Sequence, residues 1–145
     1  MRKLILKIAG LIAGVLFSQF SMAQCDSDDF LDDCASQLET FTFIKAFNTT
    51  LKAGPGAKQE VSYVFSKGSE YIIVACDQNN KGGKMIVSLF DRTHKLVAST
   101  YSPQMKRHFP SLVFPCQATG VYYIEFKFEA DKGGCGVGIL GFDKK

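Results

Sequence analysis

The sequence has only two histidines, His94 and His108, and that scarcity removes several chemistries at once. A zinc site needs three or four ligands at workable spacings, and neither histidine stands in such a set. No G-x-S-x-G elbow occurs to present a serine nucleophile; Ser69 follows Gly68 but opens a strand. No two cysteines have the C-x-x-C spacing of a thioredoxin-like redox site. The local signatures of a papain-type nucleophile are missing too, so a pairing of Cys76 or Cys116 with His108 has no motif behind it. "DKGGCGVGILG" is rich in glycine, yet it lacks the lysine–Ser/Thr ending of a phosphate loop and follows no βα pattern. Outside the N-terminus there is no long apolar run, so no transmembrane helix is expected.

The N-terminus has a different texture. Arg2 and Lys3 precede an apolar run from Ile8 to Phe17, followed by polar Ser18 and Gln19 and by small residues at Ser21 and Ala23. This is the layout of a secretory signal peptide over residues 1–23, with Gln24–Lys145 remaining as a single domain. Cys25 lacks the preceding residues that a bacterial lipidation site requires. The formal charge of the full chain is +3, from 17 basic and 14 acidic residues. Arg2, Lys3 and Lys7 belong to the leader, so the remaining domain is balanced. Nucleic-acid binding, which needs a basic surplus, is therefore not expected. A secreted or periplasmic location is.

Five cysteines in an exported chain read as disulfides plus one spare thiol. Spacing leaves the pairing open. Cys25 with Cys34 would close a loop around the acidic segment, and Cys116 with Cys135 would staple the final hairpin. Cys76, on an apolar strand, would then stay free as a small buried hydrophobe.

Residues 26–38, "DSDDFLDDCASQL", place Phe30, Leu31, Cys34 and Leu38 on one helical stripe. Asp26 or Ser27 can cap this helix, and its aspartates suit the positive end of the helix dipole. From residue 40 to 142 the period changes to two. "TFTFIKAFNTTL" alternates, "QEVSYVFS" puts Val61, Tyr63 and Phe65 on one face, and "EYIIVACD" is apolar almost throughout, as a central strand would be. "MIVSLFD", "KLVASTY" and "FPSLVFP" follow. "GVYYIEFKFEA" directs Tyr122, Ile124, Phe126 and Phe128 to the core, and "CGVGILGF" closes the domain. About eight short strands separated by turn signals define an antiparallel, jelly-roll-like β-sandwich with a short N-terminal helix. Glycines 134, 136, 138 and 141 weaken their strand, so they mark a bulge, a bend or a close approach.

Three stretches between Ser62 and Phe128 carry a family resemblance: "GSEYIIVA", "MIVSLFDRTHKLVAS" and "ATGVYYIEF". Together they resemble the bacterial pre-peptidase C-terminal domain, a secreted jelly-roll sandwich often appended to proteases. The resemblance implies an accessory role in binding or secretion and carries no catalytic motif. This chain differs in having no protease domain and in adding a helix and cysteines.

The expected function is non-enzymatic binding or structural support, with a protein, peptide or glycan as partner. Tyr63, Tyr101 and Tyr123 are candidate binding aromatics, beside a basic patch of Lys106, Arg107 and His108. A calcium-stabilised accessory module is the alternative. Asp77 and Asn79 begin an EF-hand-like "DQNNKGG", which fails at Lys81 and Ser88, and Asp28 and Asp32 sit in an acidic cluster that a hard cation would relieve. A small hydrolase is the third reading; Glu125, with Glu129 in the following turn, would supply its carboxylates, but a cross-strand salt bridge explains Glu125 more simply.

Overall fold

The computed structural model describes residues 25, 26 and 28–144, excluding the side chains of 29, 79–82 and 144. The leader expected over 1–23, the cap at Ser27 and the side chain of Asn79 lie outside the described residues. One helix, α1 (Asp28–Ser36), precedes ten strands. These are β1 (Thr42–Leu51), β2 (Gln59–Phe65), β3 (Ser69–Gly82), β4 (Met85–Phe90), β5 (Leu96–Ser99), β6 (Tyr101–Ser102), β7 (Arg107–His108), β8 (Ser111–Pro115), β9 (Gly120–Phe128) and β10 (Gly134–Lys144).

One four-stranded sheet, A, has the order β1-β10-β3-β8; a second, B, has the order β2-β9-β4-β5; β6 and β7 form a separate two-stranded ribbon. All pairings are antiparallel. Apart from the ribbon, the first strand pairs with the last and the second with the next to last. That nesting is a jelly roll, as the strand pattern predicts, with the ribbon inserted between β5 and β8.

The alternation in β9 sets the sandwich interior. Tyr122, Ile124, Phe126 and Phe128 are buried, and they meet Phe47, Phe65, Ile73, Val87, Leu89 and Leu140 in one cluster. The glycines of β10 mark close approach. A Cβ at Gly138 would collide with the Phe126 ring, and one at Gly136 would lie 2.7 Å from the Met85 sulfur. Sheet B's large side chains thus pack into grooves that only glycine leaves open across sheet A.

The outer face of sheet A is buried as well. Ile72, Val74, Val137 and Ile139 pack beneath Cys34 and Leu38, with Phe30 and Leu31 alongside. The predicted helical stripe therefore covers β3 and β10, which explains why "EYIIVACD" is apolar at successive positions. The EF-hand-like "DQNNKGG" belongs to the end of β3, which continues to Gly82 with a register shift against Gly134 and Gly136 of β10.

The disulfides correct the expected pairing. Cys34 joins Cys76, and Cys25 joins Cys135, with Cα atoms 6.0 and 5.3 Å apart respectively. Cys34 lies on the buried stripe of α1, directly over β3, so Cys76 is its partner and not a free thiol. The free cysteine is Cys116. Cys116 and Cys135 flank a single strand, β9, rather than the base of a hairpin, and nine residues of strand hold its ends about 30 Å apart. Cys116 is buried, with Sγ 3.2 Å from the Ala118 carbonyl and 3.8 Å from the Tyr122 hydroxyl. Burial pushes the Tyr122 phenol up to about 12, helped by its hydrogen bond with Cys116; it stays protonated and donates to the Ala118 carbonyl at 2.9 Å.

Candidate binding cleft

The two outer faces of the sandwich differ. Sheet A is covered by α1, whereas no helix among the described residues covers sheet B. Residues of sheet B that avoid the core form transverse rows set by strand register. Glu60, Glu125, Ser88 and Ser99 form one row; Ser62, Tyr123 and Phe90 form the next; Lys127 and Ile86 pair near one end. Two glutamates directly opposite each other repel. Lys58 offsets this by donating to Glu125 at 2.8 Å, and His94 Nε2 lies 3.8 Å from Glu60. Glu125 thus sits in a cross-strand salt bridge, with Lys58 supplying the ammonium group.

The β6–β7 ribbon overhangs the Lys127–Ile86 end, and Thr100 holds it there. Thr100 N–H donates to the Val87 carbonyl at 2.9 Å, and Val87 N–H donates to Thr100 Oγ1 at 2.9 Å. Phe109 N–H donates to the Thr100 carbonyl at 2.7 Å and closes the ribbon's base. Tyr101 and His108 are register partners, with ring centroids 4.7 Å apart. Facing the ribbon is the turn after β9, Glu129–Asp131, where Ala130 and Asp131 adopt left-handed φ of 52° and 51°. Glu129 N–H donates to the Lys84 carbonyl at 2.9 Å. His108 Nε2–H donates to Glu129 Oε2 at 3.1 Å, linking the ribbon to the turn. A backbone hydrogen bond from Lys84 holds the Glu129 carboxyl below the usual range, despite partial burial, and the charges of His108 and Lys132 add to the effect.

Between ribbon and turn is a cleft of about 380 Å³. Ile86, the register partner of Lys127, lies at its floor, next to the end of β9 where the Phe128 ring turns inward to the core; Tyr101 and His108 form one wall and Glu129–Asp131 the other, and Lys127 joins from the sheet. A second hollow of about 260 Å³ lies behind His108, between Gln37, Cys76, Lys84 and Pro110. An apolar floor, one aromatic wall and a few charged groups can bind and orient a small molecule.

Of the residues singled out from sequence, the cleft brings together Tyr101 and His108. Arg107 stacks over Phe109 at 5.4 Å, and Lys106 lies exposed at the ribbon's tip with φ of 49°. Tyr63 lies elsewhere: it shares the inward face of Phe65 and packs against the core. Tyr123 faces outward, but its ring is stacked under His94 at 4.1 Å. Lys127 and Asp131 were not among the sequence candidates, and Glu129 entered only as a carboxylate in the turn after Glu125. Lys127 reads as one polar residue of an alternating strand, and nothing in "EAD" signals consecutive left-handed residues.

The Asp77 carboxylate accepts from the Met85 N–H at 2.8 Å, an interaction that ties the end of β3 to the start of β4. Asp28 and Asp32 are exposed on α1. Among the described residues, no group of three or more His, Cys, Asp or Glu is placed to hold a metal ion. No helix among them is long and apolar enough to cross a membrane.

The fold and this surface define a disulfide-linked jelly-roll sandwich with one helix-covered face and one face bearing a cleft. No protein-family model matches the chain, and no curated protein matches it. Among solved structures, it is similar to the pre-peptidase C-terminal domain of a collagenase from Bacillus anthracis. The two are 13% identical with a TM-score of 0.49, over 70% of this chain and 90% of that one.

Proposed function

We propose that the chain is an exported, disulfide-locked binding module that holds its ligand in the ribbon cleft on the outer face of sheet B and performs no chemistry on it. The observation that carries this reading is the asymmetry of the two faces. α1 and both disulfides are committed to sheet A, while the ribbon, Thr100 and the Glu129–Asp131 turn build a walled hollow on sheet B. The charge pattern of residues 1–23 and the pairing of four cysteines support export, because disulfides persist in oxidising compartments.

The test has two arms. The full gene is expressed with its leader, and the exported protein is sequenced from its N-terminus; Gln24 is the expected first residue. Full-length protein retained in the cytoplasm with all thiols reduced would overturn the export reading. The processed protein is then screened on a glycan array and a peptide library alongside Tyr101→Ala. Ligands bound by the wild type and lost in the variant are expected. Hits that are indifferent to Tyr101 would move the site away from the cleft.

A further inference from the structure

We infer that the ribbon cleft binds an acidic sugar residue, a uronate whose carboxylate is held by Lys127. This deepens the binding-module reading and rests on it. The inference comes from which of the cleft's charges are already engaged. The Glu129 carboxylate is occupied by the Lys84 backbone N–H and by His108. Lys127 is half-buried, and among the described residues no carboxylate lies within salt-bridge distance of it. A half-buried lysine in a cleft without a counter-charge attracts an anion arriving from outside.

The surroundings carry the same sign. Lys106 lies exposed at the tip of the ribbon, and Lys84 and Lys132 flank the turn beside Glu129. The domain as a whole is charge-balanced once Arg2, Lys3 and Lys7 are set aside; in the cleft, Glu129 is engaged by Lys84 and His108, which leaves Lys127 as the cation open to an anion.

The remaining lining selects among anions. The Tyr101 ring stands in one wall beside Ile86, and the C–H face of a pyranose packs on an aromatic ring. Asp131 lies exposed on the opposite wall, and its backbone carbonyl accepts from Gly54 N–H at 3.0 Å. Its carboxylate is left to accept sugar hydroxyls. A uronate uses all three features: carboxylate to Lys127, hydroxyls to Asp131, ring face to Tyr101. A neutral sugar would leave Lys127 unpaired, and an acidic peptide would leave Asp131 facing like charge.

Calorimetric titration of the processed protein tests this with oligogalacturonate and oligomannuronate, a neutral oligogalactan of equal length, and a poly-glutamate peptide. Binding is expected for at least one oligouronate and for neither control. It should weaken about tenfold or more in Lys127→Gln and in Tyr101→Ala, and weaken again as salt is raised to about 0.5 M. Melting temperatures of both variants separate lost contacts from lost folding, and Lys67→Gln, at an exposed lysine outside the cleft lining, is expected to bind as the wild type does. Failure of both oligouronates, equal affinity for a control, or indifference to Lys127→Gln in a folded variant overturns the inference. If a control ligand binds and loses affinity in Tyr101→Ala but not in Lys127→Gln, the binding-module reading survives and the uronate assignment does not. If no ligand depends on Tyr101, both fall.

Discussion

Two buried threonines should respond in opposite directions to the same substitution. Thr49 and Thr100 are both fully buried. Thr49 lies on the inward face of β1, between Phe47 and Leu51, and its Oγ1 has no hydrogen-bond partner among the described residues. Thr100 Oγ1 accepts the Val87 N–H at 2.9 Å. Valine has nearly the same shape and the same β-branch, so strand propensity and packing change little. What differs is the hydroxyl's hydrogen bonding.

Burying an unpaired hydroxyl costs about 1–3 kcal/mol on protein mutational scales. Thr49→Val removes that cost and should stabilise the domain by about 1 kcal/mol, raising Tm by about 4 °C. Thr100→Val leaves the buried Val87 N–H without its acceptor and should destabilise by about 1–3 kcal/mol. Urea unfolding monitored by tyrosine fluorescence and circular dichroism reads both, with m unchanged in each case. Because the two sites share no hydrogen-bond partner, the double variant should equal the sum of the singles. Destabilisation by Thr49→Val would refute the reasoning, since it would mean that the Thr49 hydroxyl has a hydrogen-bond partner in solution.

Peptide mapping under non-reducing conditions should recover Cys25–Cys135 and Cys34–Cys76 as the crosslinked pairs, with Cys116 alone open to alkylation once the protein is unfolded. Cys34→Ser should cost up to about 4 kcal/mol, the chain-entropy value for a loop closed across 42 residues, whereas Cys116→Ala should leave both crosslinks intact. Gly138→Ala drives a methyl into the Phe126 ring and should destabilise by about 1–3 kcal/mol, measured by the same urea titration. The Glu129 carboxyl is held below its ordinary value of 4.5 in the folded protein, so its contribution to stability is present above the unfolded pKa and lost as pH falls through the folded one. Glu129→Gln should therefore be less stable than wild type near neutral pH and show a shallower loss of stability below about pH 4.5; parallel acid limbs for the two proteins would contradict the assignment.

Where one periodicity runs long enough, these elements are legible in the sequence. The nine residues of β9 alternate without a break, so the core face of Tyr122, Ile124, Phe126 and Phe128 follows from period alone. The stripe Phe30–Leu31–Cys34–Leu38 likewise predicts which side of α1 is buried. The ribbon is not legible. Its strands are two residues each, too short to have a period, and what fixes them is the Thr100 hydroxyl reaching back to β4. Disulfide pairing is illegible for a related reason. Cysteines near each other in sequence at the two ends of one strand are far apart in space, and only the placement of α1 over β3 brings Cys34 to Cys76.

The cleft depends on the same packing. An alternating strand shows which residues avoid the core, but not whether their outer face meets a helix or solvent. Val137 and Ile139 on β10 and Glu125 and Lys127 on β9 all point away from the sandwich interior, yet the first pair is fully buried and the second is not. The apolar character of β3 and β10 draws the helix stripe to sheet A, and Cys34–Cys76 fastens it there. Sheet B therefore keeps its glutamates, serines and Lys127 on an outer face that no described helix covers. The residues that place the candidate site on sheet B are thus, in part, those of α1 and β3 on the far side of the sandwich.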